Sequence, residues 1–228
     1  MKIKLLSISD ITPNQQGANP EFVRGMNKLI ESTSKHGYDH EIIIAPFEFG
    51  GQMKHLWNWC KDNKENYTHF IYSDAFDTIA LAPFKEFFDT VSLFCFMNDF
   101  VGSAEKGCYP NPNLADQYPK VEHGWKYVNA GQFFCSIEWF LAMCERRSPI
   151  GINDQTWLSE TYINCCNLGE PVTLDYRCWL FQSIAFEDVD DFAVGRDGRL
   201  LNRKTGSYPM MVHGNGRTSM EWIYDFAK

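Results

Sequence analysis

The chain has 228 residues, 44% of them hydrophobic and 15% aromatic, with 21 lysines and arginines against 29 aspartates and glutamates, a net charge of −8. That length fits one α/β domain over residues 1–228 with a sizeable buried core, and the acidic balance disfavours a polyanionic partner such as nucleic acid. No window holds the run of about 18 apolar residues that a membrane span needs.

Met1-Lys2-Ile3-Lys4-Leu5-Leu6-Ser7-Ile8 has only a brief apolar run, so it reads as a first strand over Lys2–Ser9 and not as a signal peptide. A cytoplasmic protein with no membrane association is therefore expected. A polar, proline-bearing loop follows to Pro20. Phe22, Val23, Met26, Leu29 and Ile30 then recur at helical spacing, predicting a helix over Pro20–Lys35. His40–Ala45 contains the apolar run Ile42-Ile43-Ile44 of a buried parallel strand. Phe49-Gly50-Gly51 opens a helix with Met53, Leu56, Trp57 and Cys60 on one face, and His69–Tyr72 is a further buried strand.

Strands are predicted near Val91–Phe96, Asp99–Ser103 and Tyr127–Ser136. Asn153–Asn167 reads as a helix capped by Asn153, with Trp157, Leu158, Thr161 and Tyr162 facing inward. Arg196-Asp197-Gly198-Arg199 has hairpin-turn chemistry. A last strand, Met210–Val212, precedes a short C-terminal helix. Alternating strands and helices predict an α/β fold. Eight cysteines are scattered without the C-x-x-C pairs of a zinc site, and most sit in hydrophobic surroundings, so buried thiols are expected rather than disulfides.

Chemistry concentrates where a buried strand ends. In open α/β sheets ligands bind beyond the carboxyl ends of the strands, and Asp74 and Asp77 lie there, just after His69–Tyr72. Two carboxylates three residues apart can converge on one hard cation such as Mg²⁺ or Mn²⁺; the same spacing also suits helix or turn capping. The second cluster is Val212-His213-Gly214-Asn215-Gly216. His213 can offer a neutral imidazole nitrogen as a third ligand, and the glycines let backbone approach phosphate closely.

These residues belong to an ordered set that resembles the glycosyltransferase domain of procollagen lysyl hydroxylases and, more distantly, the procollagen galactosyltransferases. Gly50-Gly51-Gln52 resembles the family's helix start, and Tyr72-Ser73-Asp74-Ala75-Phe76-Asp77 its D-x-x-D turn. Ser103-Ala104-Glu105 with Cys108-Tyr109-Pro110 is similar to S-A-E-x-x-C-W-P, and Leu114–Pro119 to L-A-E-Q-Y-P. Tyr127–Gly131, Asp154-Gln155, Leu174-Asp175 and Phe181-Gln182 continue the series, and Val212–Gly216 repeats V-H-G-N-G intact. The similarity covers roughly Gly50 to Thr218.

The resemblance implies a GT-A (Rossmann-like) fold with a central mixed, mostly parallel sheet flanked by helices. It implies transfer of a hexose or related sugar from a UDP-sugar to a hydroxyl acceptor with retention, and Mn²⁺ (or Mg²⁺) held by Asp74, Asp77 and His213. Phe76 takes the place of an aromatic that stacks on uracil. Gly214, Asn215 and Gly216 are expected to contact phosphates or ribose. Asp154 is the expected carboxylate near the reacting sugar, with Asn129, Gln155 and Glu105 as further sugar or acceptor contacts. Departures fall on donor and acceptor positions. Met53 replaces the family's lysine, with Lys54 one residue late, and Arg217 replaces a proline before Ser219, which stands where a phosphate lysine is found. The aspartate run is reduced to Asn153-Asp154, and Tyr109 replaces tryptophan, so the acceptor need not be the family's. The expected acceptor is a hydroxyl of a protein, glycan or small molecule; the alternative functions are a transferase acting on hydroxylated nucleic-acid bases and a non-catalytic GT-A-like binding module, and a homo-oligomer is compatible with each.

Overall fold

The computed structural model describes residues 1–95, 97–195 and 197–227; Phe96, Arg196 and Lys228 lie outside the described residues, as do the side chains of Cys95, Arg217 and Ala227. In chain order the elements are β1 (Ile3–Ser9), α1 (Pro20–Lys35), β2 (His40–Ile44), α2 (Gly51–Asn63), β3 (His69–Ser73), β4 (Thr78–Ala80), α3 (Phe84–Cys95) and β5 (Phe100–Glu105). They continue with β6 (Tyr127–Ser136), α4 (Ile137–Arg146), α5 (Asp154–Leu168), β7 (Val172–Asp175), β8 (Phe181–Ser183), β9 (Phe192–Val194), β10 (Leu200–Asn202) and β11 (Met211–His213).

Six strands form the central sheet in the order β2-β1-β3-β6-β5-β7. Every pairing is parallel except those of β6, which runs against both β3 and β5. Strands β3 and β6 are buried on both faces, as their apolar runs predict. Strand β2, expected to be a buried strand, instead lies at the sheet edge with Ile42 and Ile43 half-buried and Ile44 exposed, because it has only β1 as a neighbour. Along β6, Phe133 joins Phe70, Tyr72 and Phe100 beneath α2, α4 and α5, while Phe134 faces Ile71, Val101 and Phe87 on the other side. A smaller sheet, β4-β11-β8, lies beside the first and carries the His213 end of β11.

The strand expected at Val91–Phe96 is a helix: α3 spans Phe84–Cys95. Phe84, Phe87, Phe88 and Val91 recur at helical spacing, and Phe87 and Val91 are fully buried, so the apolar stripe begins well before the local run of β-formers. The expected strand at Tyr127–Ser136 matches β6, and Asn153 caps α5 by accepting from the Thr156 N–H at 3.1 Å. The hairpin joins β9 to β10, with Gly198 at φ +79 and the Gly195 N–H bonded to the Arg199 carbonyl at 2.7 Å. On α2 the buried face is Met53, Leu56, Trp59 and Cys60, while Trp57 is half-buried beneath Lys61. The seven described cysteines carry thiols rather than disulfides, and Cys166 is exposed. Among the described residues no helix is long and apolar enough to cross a membrane.

Helix α1 fixes the turn that follows β3. A Cβ on Gly25 would lie 1.7 Å from the Phe76 carbonyl oxygen, so only glycine allows the helix this close. Gly25→Ala is expected to cost about 1–3 kcal/mol, as overpacking does. A urea titration of the purified variant measures this, and an unchanged midpoint would contradict so close an approach.

Candidate functional site

The β3 end, the β5 end and an irregular stretch of β6 converge on one cleft of about 780 Å³. Between Gly102 and Ser103 the β5–β6 register jumps, so that Gly102 faces Phe133 and Ser103 faces Asn129. The bulge leaves Ala130–Gln132 without ladder partners on β5. Their backbone is satisfied otherwise: the Ala130 N–H donates to Gln155 Oε1 at 2.7 Å, and the Gly131 N–H donates to Asn129 Oδ1 at 2.9 Å. The Gly131 carbonyl accepts from the Asp74 N–H at 2.8 Å, tying the bulge to the carboxylate turn. That turn is closed by Thr78, whose hydroxyl donates to the Asp74 carbonyl at 2.6 Å.

Strand pairing brings in the histidine. His213 sits opposite Thr78 in the β4–β11 register, and the Gly214 N–H donates to the Asp77 carbonyl at 2.7 Å. As a result His213 Nε2 lies 3.4 Å from Asp74 Oδ2 and 3.4 Å from Asp77 Oδ1. One ligand atom from each of the three residues falls within 4.8 Å of the others. The Asn129 Oδ1 that accepts from Gly131 also lies 3.0 Å from His213 Nδ1. An amide oxygen can only accept, so Nδ1 donates to it and Nε2 is the nitrogen that faces the two carboxylates. Asp74 Oδ1 is held by the Tyr72 hydroxyl at 2.8 Å and the Gln52 amide at 3.3 Å, leaving Oδ2 toward the histidine. Gly131 makes the room: a Cβ there would sit 2.1 Å from His213 Cε1 and 2.6 Å from Asp74 Oδ2.

The cleft is acidic. Asp74, Asp77, Glu105 and Asp154 line the cleft, with no lysine or arginine among the described lining residues. Burial opposes protonation of His213, but the charges and hydrogen bonds of Asp77 and Asp74 outweigh it and raise its pKa to about 10. Burial raises Glu105 to about 7, against hydrogen bonds from Asn129 and Asn215. Burial, helped by the charge of Asp74, raises Asp154 to about 6 although the Met53 N–H donates to it at 3.1 Å. Two carboxylates and a neutral imidazole nitrogen form a donor set suited to a first-row divalent ion. It would offset charge that these side chains otherwise leave uncompensated.

A family model, the PLOD GT domain, the glycosyltransferase domain of the procollagen lysyl hydroxylases, matches residues 22–224. The chain belongs to this glycosyltransferase family. Among its relatives, an uncharacterized protein of Acanthamoeba polyphaga mimivirus (R699) is 31% identical over 156 residues, covering 68% of this chain and 32% of that protein. Human multifunctional procollagen lysine hydroxylase and glycosyltransferase LH3 is 28% identical over 191 residues, covering 77% of this chain and 24% of that one. The Caenorhabditis elegans multifunctional procollagen lysine hydroxylase and glycosyltransferase is 25% identical over 225 residues, covering 90% and 30% respectively. The chain thus spans about a quarter to a third of the length of these relatives. A solved glycosyltransferase involved in glycosylation of the major capsid of PBCV-1 superposes with a TM-score of 0.56 at 15% identity, covering 100% of this chain and 98% of its own. That likeness concerns the fold, which is GT-A.

Within this glycosyltransferase-family fold, Asp74, Asp77, His213, Glu105, Asn129, Asp154, Gln155, Asn215 and Gly216 all border the cleft. Several are committed to structure as well. Gln155 spends its amide on the backbone of Ala130 and Val128, and Asn215 bridges Glu105 at 2.7 Å to the Ala185 N–H at 2.9 Å. Gly214 does not border the cleft; its Cβ position is filled by Met220 and Thr218. Lys54 is directed elsewhere, 2.7 Å from Glu48 in an ion pair. The Phe76 ring stacks on Phe22, which is exposed rather than inward-facing, with centroids 4.8 Å apart. The Arg217 side chain lies outside the described residues. The motifs did not single out Tyr72, the second anchor of Asp74, or Phe186, which also borders the cleft.

Two outcomes follow from this geometry. Asn129→Ala removes the acceptor that orients His213 and is expected to weaken Mn²⁺ binding by about 10–100-fold, as loss of such partners typically does; calorimetric titration measures it. Because Asp77 and Asp74 raise the pKa of His213 to about 10, a Mn²⁺ ion coordinated by Nε2 would have to displace a proton. Affinity should therefore rise with pH between about 6 and 8.5, by up to roughly tenfold per unit. Calorimetry in buffers of different ionisation enthalpy would detect the released proton, and a flat pH response would count against His213 as a ligand.

Proposed function

We propose that this chain transfers a hexose, or a related sugar, from a UDP-sugar to a hydroxyl acceptor with retention, and that Asp74, Asp77 and His213 hold the divalent cation, Mn²⁺ or Mg²⁺, on which transfer depends. The observation that carries the reading is the convergence of these three side chains, from two distant stretches of chain, within 4.8 Å. A nucleoside diphosphate is an anion, and a cleft lined by four carboxylates repels it unless charge is supplied. Bound there, the cation would polarise the diphosphate and stabilise the charge it carries as the glycosidic bond breaks.

The remaining groups act from the chain itself. Asn129 keeps His213 Nε2 on target, and Tyr72 and Gln52 fix Asp74, so these two side chains are set before a nucleotide arrives. Asp154 faces the cleft with a pKa raised to about 6, suited to orienting sugar hydroxyls or receiving the acceptor proton near neutral pH. Asn215 holds Glu105 at 2.7 Å, so that this second carboxyl is fixed for hydrogen bonding to substrate.

The test pairs binding with turnover. UDP with Mn²⁺ should raise the melting temperature, UDP with a chelator should not, and hydrolysis across a panel of UDP-sugars should identify the donor. Asp77→Ala should abolish the Mn²⁺-linked shift. It should also lower turnover on the order of 100-fold, since a bound metal contributes several kcal/mol to such steps. A variant that keeps both properties would overturn this reading of the site.

A further inference from the structure

The backbone turns over at Ile184–Glu187, just after β8, and places its residues in an order opposite to their polarity. Ala185 is buried, with its N–H on Asn215 Oδ1 at 2.9 Å. The Glu187 side chain is 1% exposed, in an ion pair 2.7 Å from Lys106. Between them, Phe186 is 80% exposed. Its φ is +65, in the left-handed region that disfavours a bulky side chain. Burying a phenylalanine is worth about 1.5–3 kcal/mol, and this position forgoes most of that while accepting backbone strain.

Such outliers persist where the surrounding structure holds them and are concentrated at binding sites. Here both flanks are held, and the ring borders the same cleft as the carboxylate–histidine cluster. Phe186 rests against Gly107, where an added Cβ would lie 3.0 Å from Phe186 Cε2. Tyr109, 66% exposed, borders the cleft on the same loop as Gly107. The mouth therefore carries two bared aromatic rings above a floor of hydrogen-bond acceptors. A ligand that satisfies both must have a flat face of C–H groups and an edge of hydroxyls, as a pyranose ring has. A polyanion would meet the acidic floor instead.

We propose that Phe186 is a positioning residue for the acceptor, stacking on the apolar face of an acceptor pyranose whose hydroxyl edge points to the floor. This rests on the transferase reading above. The test is saturation-transfer NMR with UDP and diamagnetic Mg²⁺ present, using methyl gluco-, galacto- and mannopyranosides as probes and the acyclic polyol galactitol as comparator. Saturation should reach the ring C–H protons of at least one pyranoside and not galactitol. Phe186→Ala should weaken that pyranoside about tenfold, Phe186→Trp should retain it, and neither should alter the UDP·Mg²⁺ thermal shift.

Phe186→Gly separates this from misfolding, because glycine relieves the positive φ: its melting temperature should be equal or higher while the pyranoside signal falls. The platform is overturned if no pyranoside receives saturation, if Phe186→Ala binds it as well as the wild type, or if the substitution weakens UDP-hexose instead. Loss of the UDP·Mg²⁺ shift in the wild type would fail the transferase reading itself, a separate result.

Discussion

Four carboxylates share one cleft in which no described lysine or arginine takes part, and the architecture around it serves to hold them there. Each has a donor of its own or a fixed place. Tyr72 and Gln52 reach Asp74, the Met53 N–H reaches Asp154, and Asn215 reaches Glu105, while the Asp77 carbonyl is pinned by the Gly214 N–H. These bonds offset only part of the repulsion and burial, as the raised pKa values of Glu105 and Asp154 show. A divalent cation among Asp74, Asp77 and His213 would remove most of the remainder. Ligand binding and folding stability are then linked at this one point, since whatever binds only the native state also stabilises it.

The sheet yields regularity to make that point possible. Strand β6 breaks its ladder with β5 at Ala130–Gln132, a bulge of the kind found where strands border functional sites. The freed groups are then used: the Gly131 carbonyl accepts from the Asp74 N–H, the Gly131 N–H donates to Asn129, and Asn129 in turn orients His213. Gln155 completes the bulge from α5. Gln155 therefore acts on the backbone that seats the histidine. A regular β6, with a side chain at 131, would occupy the space where His213 meets Asp74.

Much of this was legible from residue order. Apolar runs make β1, β2, β3 and β6 readable without a partner, although the run in β2 overstates its burial because an edge strand has one neighbour only, and Asn153 marks the start of α5 by its capping chemistry. Helix α3 misleads because Val91–Phe96 has strand composition while its periodicity extends back to Phe84. Pairing of Asp74 and Asp77 with His213 depends on β4 and β11 lying antiparallel, a long-range fact that spacing does not contain; only the resemblance supplied it. Lys54 could not be placed from its position near Gly-Gly-Gln, because its direction is decided by Glu48. Phe76 likewise depended on a neighbour, Phe22, whose exposure runs against its apolar character.

Floor and mouth are built from different parts of the chain, and that separation has a consequence for how the activity can vary. The floor comes from sheet ends and a bulge, where a change of one side chain disturbs several hydrogen bonds at once. The mouth comes from the Gly107–Tyr109 loop and the Ile184–Glu187 turn, whose anchors, Lys106 with Glu187 and Asn215 with Ala185, leave the exposed ring between them replaceable. On the proposed reading, what departs is decided by the floor and what arrives by the mouth. Exchange of residues 109 or 186 can then redirect acceptor choice while Asp74, Asp77 and His213 keep their geometry. Of the two rings, Phe186 is the more informative, because its strained backbone has a ready escape to glycine that this chain has not taken.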